Sequence, residues 1–420
     1  MRPRPIRMLF VTAESFPTHR VDVAVLFGPG FLGRGHAIDL VMQAGSEDVP
    51  AGRQPWHGRT VFVGRTRDGS GGLDRARRQG LEVLHDLSSL KLARKQDYDA
   101  IQVRDKFIAA TVGILVARLR GLKFFFWLSF PMPESDIENA RSGNAFLPPV
   151  TWARGILTRA LLYRWILPRA DHVFVQSERM KADLAGKGIA AHKLTPVPMG
   201  FDTTTLPSPA PKAPRRSDAP LLIGYLGTLD ASRKLEILID TLARVRRAGQ
   251  EASLLLVGGA HAARDVEALR ARATELGIGA QVEITGMLPR AEAIQRISEC
   301  DIAVSPIFRS AVFDVGSPTK LLEYLGLGLP VVANDHPEQQ YILRATRAGV
   351  CTPWGARHFA RAILWLARRT PEELAERASR GRDWVSQNRA YPVLIEQLER
   401  SYHNALGQFV GRETAAHEER

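Results

Sequence analysis

Short apolar runs bounded by turn residues alternate along this chain with segments whose apolar positions recur three and four residues apart. The first half predicts strands at Met8–Thr12, Ala37–Val41, Thr60–Val63, Leu81–Leu84, Ala100–Val103, Lys123–Leu128, His172–Gln176 and Leu194–Val197. The stretch from Thr203 to Pro220 holds five prolines and no periodicity, which reads as a linker. The alternation then resumes with "LLIGYL" and with Ser253–Val257, Val282–Thr285, Ile302–Ser305, Pro330–Ala333 and Val350–Thr352. Strands that take turns with helices predict parallel, doubly wound α/β sheets. The expected organisation is a first domain over 1–205, a Pro-rich linker over 206–220, a second domain over 221–385, and a helix crossing back with a tail over 386–420.

Two segments carry chemistry in their pattern. In "SPTKLLEYLG", Ser317 and Pro318 predict a helix start, a hydroxyl cap followed by proline at the first helical position. At 100° per residue, Thr319, Lys320 and Glu323 share one sector while Leu321, Leu322 and Leu325 take the opposite side. A helix N-terminus offers free backbone N–H groups and partial positive charge, which suits phosphate. Glu323, one turn deeper, suits a diol such as ribose; the alternative is an ion pair with Lys320 on a solvated face. In "LLIGYLGTLDASRKLEIL", an apolar strand ends at Gly227 and Arg233–Lys234 open an amphipathic helix. Such a corner lies at the carboxyl edge of a parallel sheet, where ligands bind.

A third segment is ambiguous. From Thr151 to Ala170, arginines at 154, 159, 164 and 169 advance 140° each time and make no clean polar stripe. The pattern fits a buried helix with arginines reaching out at its edges. It fits equally an interfacial helix with snorkelling side chains. The polar segment before it, Pro131 to Pro149, reads as a mobile acceptor-side loop or a disordered insertion.

Composition narrows the functional classes. The 420 residues exceed what one core usually holds. A net charge of +13 points to anionic partners. No aromatic RNA-binding motif, zinc-finger spacing or long basic run favours nucleic acid. Two cysteines, Cys300 and Cys351, give no disulfide framework and suit a reducing, cytoplasmic compartment. No run of about 18 apolar residues predicts a membrane span. "GPGFLG", Gly28 to Gly33, mimics a dinucleotide fingerprint, but the strand expected at Ala37 leaves no room for the required helix. "DYD", Asp97 to Asp99, precedes a strand instead of ending one. His36, His172 and His192 show no ligand spacing, so no metal is expected.

Taken in order, several passages resemble retaining glycosyltransferase family 4, the group 1 enzymes of GT-B fold. They are "RGHAIDLV", "PRADHVFVQSERMKADLAGKGIAAHKLTPVPMGFD", "LLLVGG", "VEITGML", "CDIAVSPI" and "SPTKLLEYLGLGLPVVAND". The resemblance implies two Rossmann-like domains flanking an interdomain cleft. It implies that Lys234 and Arg233 hold the donor diphosphate, that Ser317, Pro318, Thr319 and Lys320 meet the same phosphates, and that Glu323 binds ribose. Gly227 and Thr228 form the corner, and Met287 lines the base pocket. Such enzymes need no bound metal.

Two departures from the family matter. A glutamate expected eight residues before Glu323 is Val315, so Arg309 and Asp314 stand as replacements for orienting the sugar. A histidine expected after "KFFFWLSFP" is replaced at Leu128–Ser129. His336 and Glu338 lie on a loop after a parallel strand, and for His336 a structural role weighs as much as a functional one. The expected activity is transfer of a hexose, with retention, from a UDP- or GDP-sugar to a hydroxyl of a glycan or lipid-linked glycan. The setting would be polysaccharide or glycolipid synthesis at the cytoplasmic face of a membrane with an anionic surface. The rivals are a GT-B sugar-nucleotide epimerase and a degenerate GT-B binding subunit.

Overall fold

A computed structural model describes residues 4–18, 20–66, 71–143, 145–202 and 220–408. All but the last residue of the expected 206–220 linker lies outside them. The chain divides into two compact units, one of Met1–Pro198 with Tyr391–Arg420 and one of Met199–Ala390. The division falls a few residues from the expected limits at 205 and 386.

The first unit carries an eight-stranded sheet in the order β3-β4-β2-β1-β5-β6-β7-β8. Its strands are β1 (Arg7–Phe16), β2 (Ala37–Ala44), β3 (Gly52–Trp56), β4 (Arg59–Gly64), β5 (Ala100–Arg104), β6 (Lys123–Leu128), β7 (His172–Val175) and β8 (Leu194–Pro196). All neighbours run parallel except β3 and β4. Strands such as "KFFFWL" are apolar on both faces, as a parallel sheet covered by helices on both sides requires. β3 was missed because "GRQPW" is polar and holds a proline, which suits an antiparallel edge and hides it from a search for apolar runs. Leu81–Leu84 is no strand. It belongs to the helix Gly72–Leu90, whose 19-residue length outweighs three apolar positions around Glu82. The decoy fingerprint lies in a π-helical segment, Leu26–Phe31, broken at Gly28, and in the short 3-10 helix Leu32–Arg34 after it, with β2 directly beyond.

The helical C-terminal region divides between the units. Pro371–Asn388 belongs to the second and buries Val385 there. Tyr391–Ala405 belongs to the first and supplies Tyr391, Leu394, Ile395, Leu398 and Tyr402 to its core. Tyr402 is fully buried, with its ring 4.6 Å from Phe174 and its hydroxyl donating to Gln102 at 2.6 Å.

The second unit holds a six-stranded, all-parallel sheet in the order β11-β10-β9-β12-β13-β14. Here β9 is Leu221–Leu226, β10 Ala252–Val257, β11 Val282–Ile284, β12 Ile302–Ser305, β13 Val331–Asn334 and β14 Gly349–Thr352. From β9 the chain winds outward to β11, then returns to lay β12 on the other side of β9. The strand order therefore reverses between β9 and β12, which is where a doubly wound sheet opens a crevice at its carboxyl edge.

Candidate donor site

That crevice holds a cavity of about 240 Å³. Its wall comes from the loops after three strands. Ser232 and Arg233 follow β9, Pro306–Phe308 follow β12, and His336 follows β13. The remainder is Phe313 and Gly316–Lys320, the lead-in and first turn of the helix Thr319–Gly326.

The corner after β9 is built on close backbone approach. Gly227 has φ +143°, and a Cβ there would stand 2.3 Å from Lys320 Cε. One at Gly258 would meet the Gly227 carbonyl oxygen at 2.0 Å. Only glycine lets the Lys320 stem lie across this corner. Its ammonium rests 5.4 Å from the centre of the Tyr225 ring. Tyr225 donates to the Thr228 carbonyl at 3.2 Å, and the buried Tyr324 hydroxyl accepts from the Leu226 amide at 2.8 Å. Desolvation, and secondly the Arg233 charge, bring the Lys320 pKa down to about 8, against a weaker opposing pull from Glu323. Neither Arg233 nor Lys320 has a carboxylate partner in an ion pair among the described residues.

The helix start differs from the expectation. Pro318 is the capping residue, Thr319 opens the helix, and no side chain caps its first amides. The Ser317 hydroxyl instead donates to Glu338 at 2.8 Å and accepts from the Met199 amide at 2.9 Å. The Met199 amide takes the acceptor role that a cap would offer to a helix N–H, and the charge-assisted bond to Glu338 fixes the hydroxyl in that orientation. Glu338 also pairs with Arg389 at 3.2 Å, so it serves structure instead of facing the cavity. The leading amides of the helix stay uncapped beside two cations, the arrangement that favours a phosphate.

Of the residues singled out from sequence, Arg233, Ser317, Pro318, Thr319 and Lys320 therefore share one cavity. Lys234 does not. It is exposed, in a left-handed conformation with φ +55°, and outside the lining. Glu323 also lies outside the lining, and its partner is Arg290 at 3.1 Å instead of Lys320. Sequence reasoning missed Arg290, because the "LPR" turn that delivers it shows no pattern of its own. Met287 is exposed and packs its stem near Gly259. Arg309 and Asp314 neutralise one another through two contacts of 2.6 and 2.7 Å, and neither lines the cavity. Val315 is buried, so no carboxylate stands at the position of the missing glutamate. His336 lines the cavity and its Nε2 meets the Phe313 carbonyl at 2.9 Å, while burial lowers its pKa. It is both structural and part of the wall.

Two charged clusters of the first unit were also invisible in sequence. At the end of β5, buried Arg104 pairs with Asp22 at 2.8 Å and with Asp105 at 3.5 Å. Asp105 has φ +57° and holds both the amide and the hydroxyl of Ser129, and burial raises its pKa. Elsewhere, atoms of His36, Glu399 and His403 lie within 4.8 Å of one another, a grouping sometimes seen around metals. Here the chemistry opposes it. His36 Nδ1 accepts the Ile6 amide, so its proton sits on Nε2 and points at Glu399, leaving no lone pair for a metal.

Comparison with known proteins agrees with this architecture. Residues 27–200 match the family described as glycosyl transferase 4-like domain, and residues 220–369 match glycosyl transferases group 1. WcaL of Escherichia coli K12, named provisionally as a colanic acid biosynthesis glycosyltransferase, is 25% identical over 239 residues, 56% of this chain and 57% of WcaL. The amylovoran biosynthesis glycosyltransferase AmsK of Erwinia amylovora is 32% identical over 125 residues, 28% of this chain and 30% of AmsK. The chain thus matches 57% of the length of WcaL and 30% of that of AmsK. Among solved structures, sucrose-phosphate synthase from Thermosynechococcus elongatus superposes with TM-score 0.71 at 16% identity, over 96% of this chain and 99% of that one. HepE of Anabaena, in complex with UDP and glucose, does so with TM-score 0.66 at 19% identity, over 95% and 100%.

Proposed function

The chain belongs to the group 1 glycosyltransferases of GT-B fold, and on that premise we propose that it transfers a hexose, with retention, from a nucleoside-diphosphate sugar to a hydroxyl acceptor. One observation carries the reading: Arg233 and Lys320, without carboxylate partners among the described residues, flank an uncapped helix start on a single cavity. Two cations and a row of free amides match a diphosphate in charge and geometry. Arg233 and Lys320 take that role in place of Lys234. The donor is a UDP- or GDP-sugar, which fits the UDP carried by HepE.

Stabilising the departing diphosphate drives the reaction. The bond from the anomeric carbon to phosphate oxygen breaks, the acceptor oxygen takes its place, and the acceptor proton leaves with the diphosphate. Glu323 serves the ribose once the nucleotide displaces Arg290, a contact on the exposed side of the helix. With Val315 apolar and Asp314 held by Arg309, the sugar is oriented without the family's carboxylate. No metal is assigned a part. The acceptor is a glycan or a lipid-linked glycan, in keeping with the polysaccharide pathways named for WcaL and AmsK. The enzyme works on the cytoplasmic side of a membrane.

A thermal-shift series with nucleoside diphosphates and their sugars tests the site. One nucleotide should raise the melting temperature of the wild type and not that of Arg233→Ala. If none does, the donor reading fails. A nucleotide sugar that binds without being transferred or hydrolysed would instead identify a binding subunit. One converted without an acceptor would identify an epimerase.

A further inference from the structure

The ambiguous arginine-rich segment resolves into an exposed face. Met132–Arg141 is a helix where a loop or a disordered insertion was expected, and Pro148–Leu161 folds back beside it. The pair is held rigidly on its inner side. A Cβ at Gly155, the one buried residue of the second helix, would meet Ile137 at 2.8 Å. Arg154 grips Asp136 through contacts of 2.8 and 2.7 Å, and Tyr163 donates to Glu134 at 2.7 Å. The outer side is apolar and bare. Phe146 is 86%, Val150 63% and Leu157 71% exposed, with Leu147 and Trp152 exposed beside them. A helix buried among other elements is therefore excluded.

The charges around this face are one-sided. Residues 132–170 hold five arginines against three carboxylates. Two of those carboxylates are already engaged, Glu134 by Tyr163 and Lys187 and Asp136 by Arg154. Arg159 and Arg164 are exposed and make no ion pair among the described residues. No helix among the described residues is long and apolar enough to cross a membrane.

We infer that this hairpin is a docking face for an anionic lipid bilayer, with Phe146, Val150 and Leu157 entering the acyl boundary and Arg159 and Arg164 meeting acidic head groups. An amphipathic helix with aromatic and aliphatic residues on one side and unpaired arginines at its flanks fits that boundary. A protein partner would cover the apolar residues but would not by itself account for the unmatched arginines. The inference is independent of the donor site, because every group it uses belongs to the first unit.

Flotation with vesicles of phosphatidylcholine alone and of phosphatidylcholine with phosphatidylglycerol tests it. The full chain should float with the acidic vesicles, lose that binding as salt rises, and stay behind with neutral ones. Phe146→Ser and Leu157→Ser should each weaken partitioning by about tenfold or more. Arg159→Glu and Arg164→Glu should each weaken it by about tenfold. Unchanged melting temperatures would show the variants folded. Equal binding to neutral vesicles, or binding to acidic vesicles that ignores all four substitutions, overturns the inference. So does a concentration-dependent dimer in sedimentation equilibrium that Leu157→Ser dissolves while vesicle binding is absent.

Discussion

Both units reverse their strand order at the carboxyl edge of a parallel sheet, and both place cations there, Arg104 buried in the first and Lys320 half-buried beside the exposed Arg233 in the second. In the first unit the reversal lies between β1 and β5, and Arg104 is matched by Asp22 and Asp105, with Arg20 adding a further contact to Asp22 at 3.1 Å. In the second it lies between β9 and β12, and Arg233 and Lys320 face a cavity without a carboxylate. Burying a charge is costly unless it is paired. The first unit settles that cost within its own chain. The second leaves it unsettled, and the Lys320 pKa, depressed to about 8, registers the strain. Topology makes two crevices; the balance of charge decides which of them is left suited to an anion.

The comparison can be broken from either side. Removing both free cations, Arg233→Ala with Lys320→Met, should cost nucleoside-diphosphate binding about 3–6 kcal/mol, two charge-assisted contacts, and abolish transfer. Isothermal titration calorimetry reads the first and a transfer assay the second. An affinity within threefold of wild type would end the claim that these cations form the site.

Unmatching the first unit should hurt stability instead of binding. Asp22→Asn leaves the Arg104 guanidinium short of charge in the interior and should cost about 3–5 kcal/mol in urea unfolding. Nucleotide affinity of the folded variant should not move. A stability change under 1 kcal/mol would mean that water reaches Arg104 and that the contrast between the crevices is overdrawn.

Glu323→Gln should have a smaller effect, about 1–2 kcal/mol of nucleotide affinity, by weakening the acceptor for the ribose diol. A deoxyribose nucleotide should show less of that loss than its ribose counterpart. Equal losses for both would remove Glu323 from sugar recognition.

The mildest test is pH. With the site empty, Lys320 titrates near 8, whereas an unfolded lysine holds its proton to about 10.4. Between those values the unfolded chain binds more protons, so this group makes folding stability rise with pH across that window. A bound diphosphate favours the charged ammonium, so binding should take up a proton near pH 8 and weaken as pH climbs past it. Calorimetry in buffers of different ionisation enthalpy measures the uptake. Lys320→Met should remove it, and uptake that survives the substitution belongs to another group.

Much of the fold was legible because it is local. Apolar runs and three-to-four spacing located thirteen of the fourteen strands among the described residues, since each run must be covered on both faces whatever it packs against. The exceptions have local causes too: proline in β3, and a long helix sampled at four residues in Leu81–Leu84. The site was less legible. Spacing put Lys320 and Glu323 on one face, but not that Lys320 would lie over Gly227 while Glu323 turned to Arg290. Adjacent residues Arg233 and Lys234 looked interchangeable until the left-handed turn at Lys234 sent one to the cavity and the other to solvent. Ser317 read as a cap because nothing nearby announced Glu338.

The amino-acid order alone determined two doubly wound sheets, the strand–turn–helix corner at Gly227 and a helix start beside it. These follow from steric and hydrophobic rules that act over a few residues. Tertiary structure decided which cations go unmatched, because partners such as Arg104 and Asp22, 82 positions apart, meet only when strands from distant parts of the chain lie side by side. Pairing energy depends on separation in space, and chain distance carries almost no information about it.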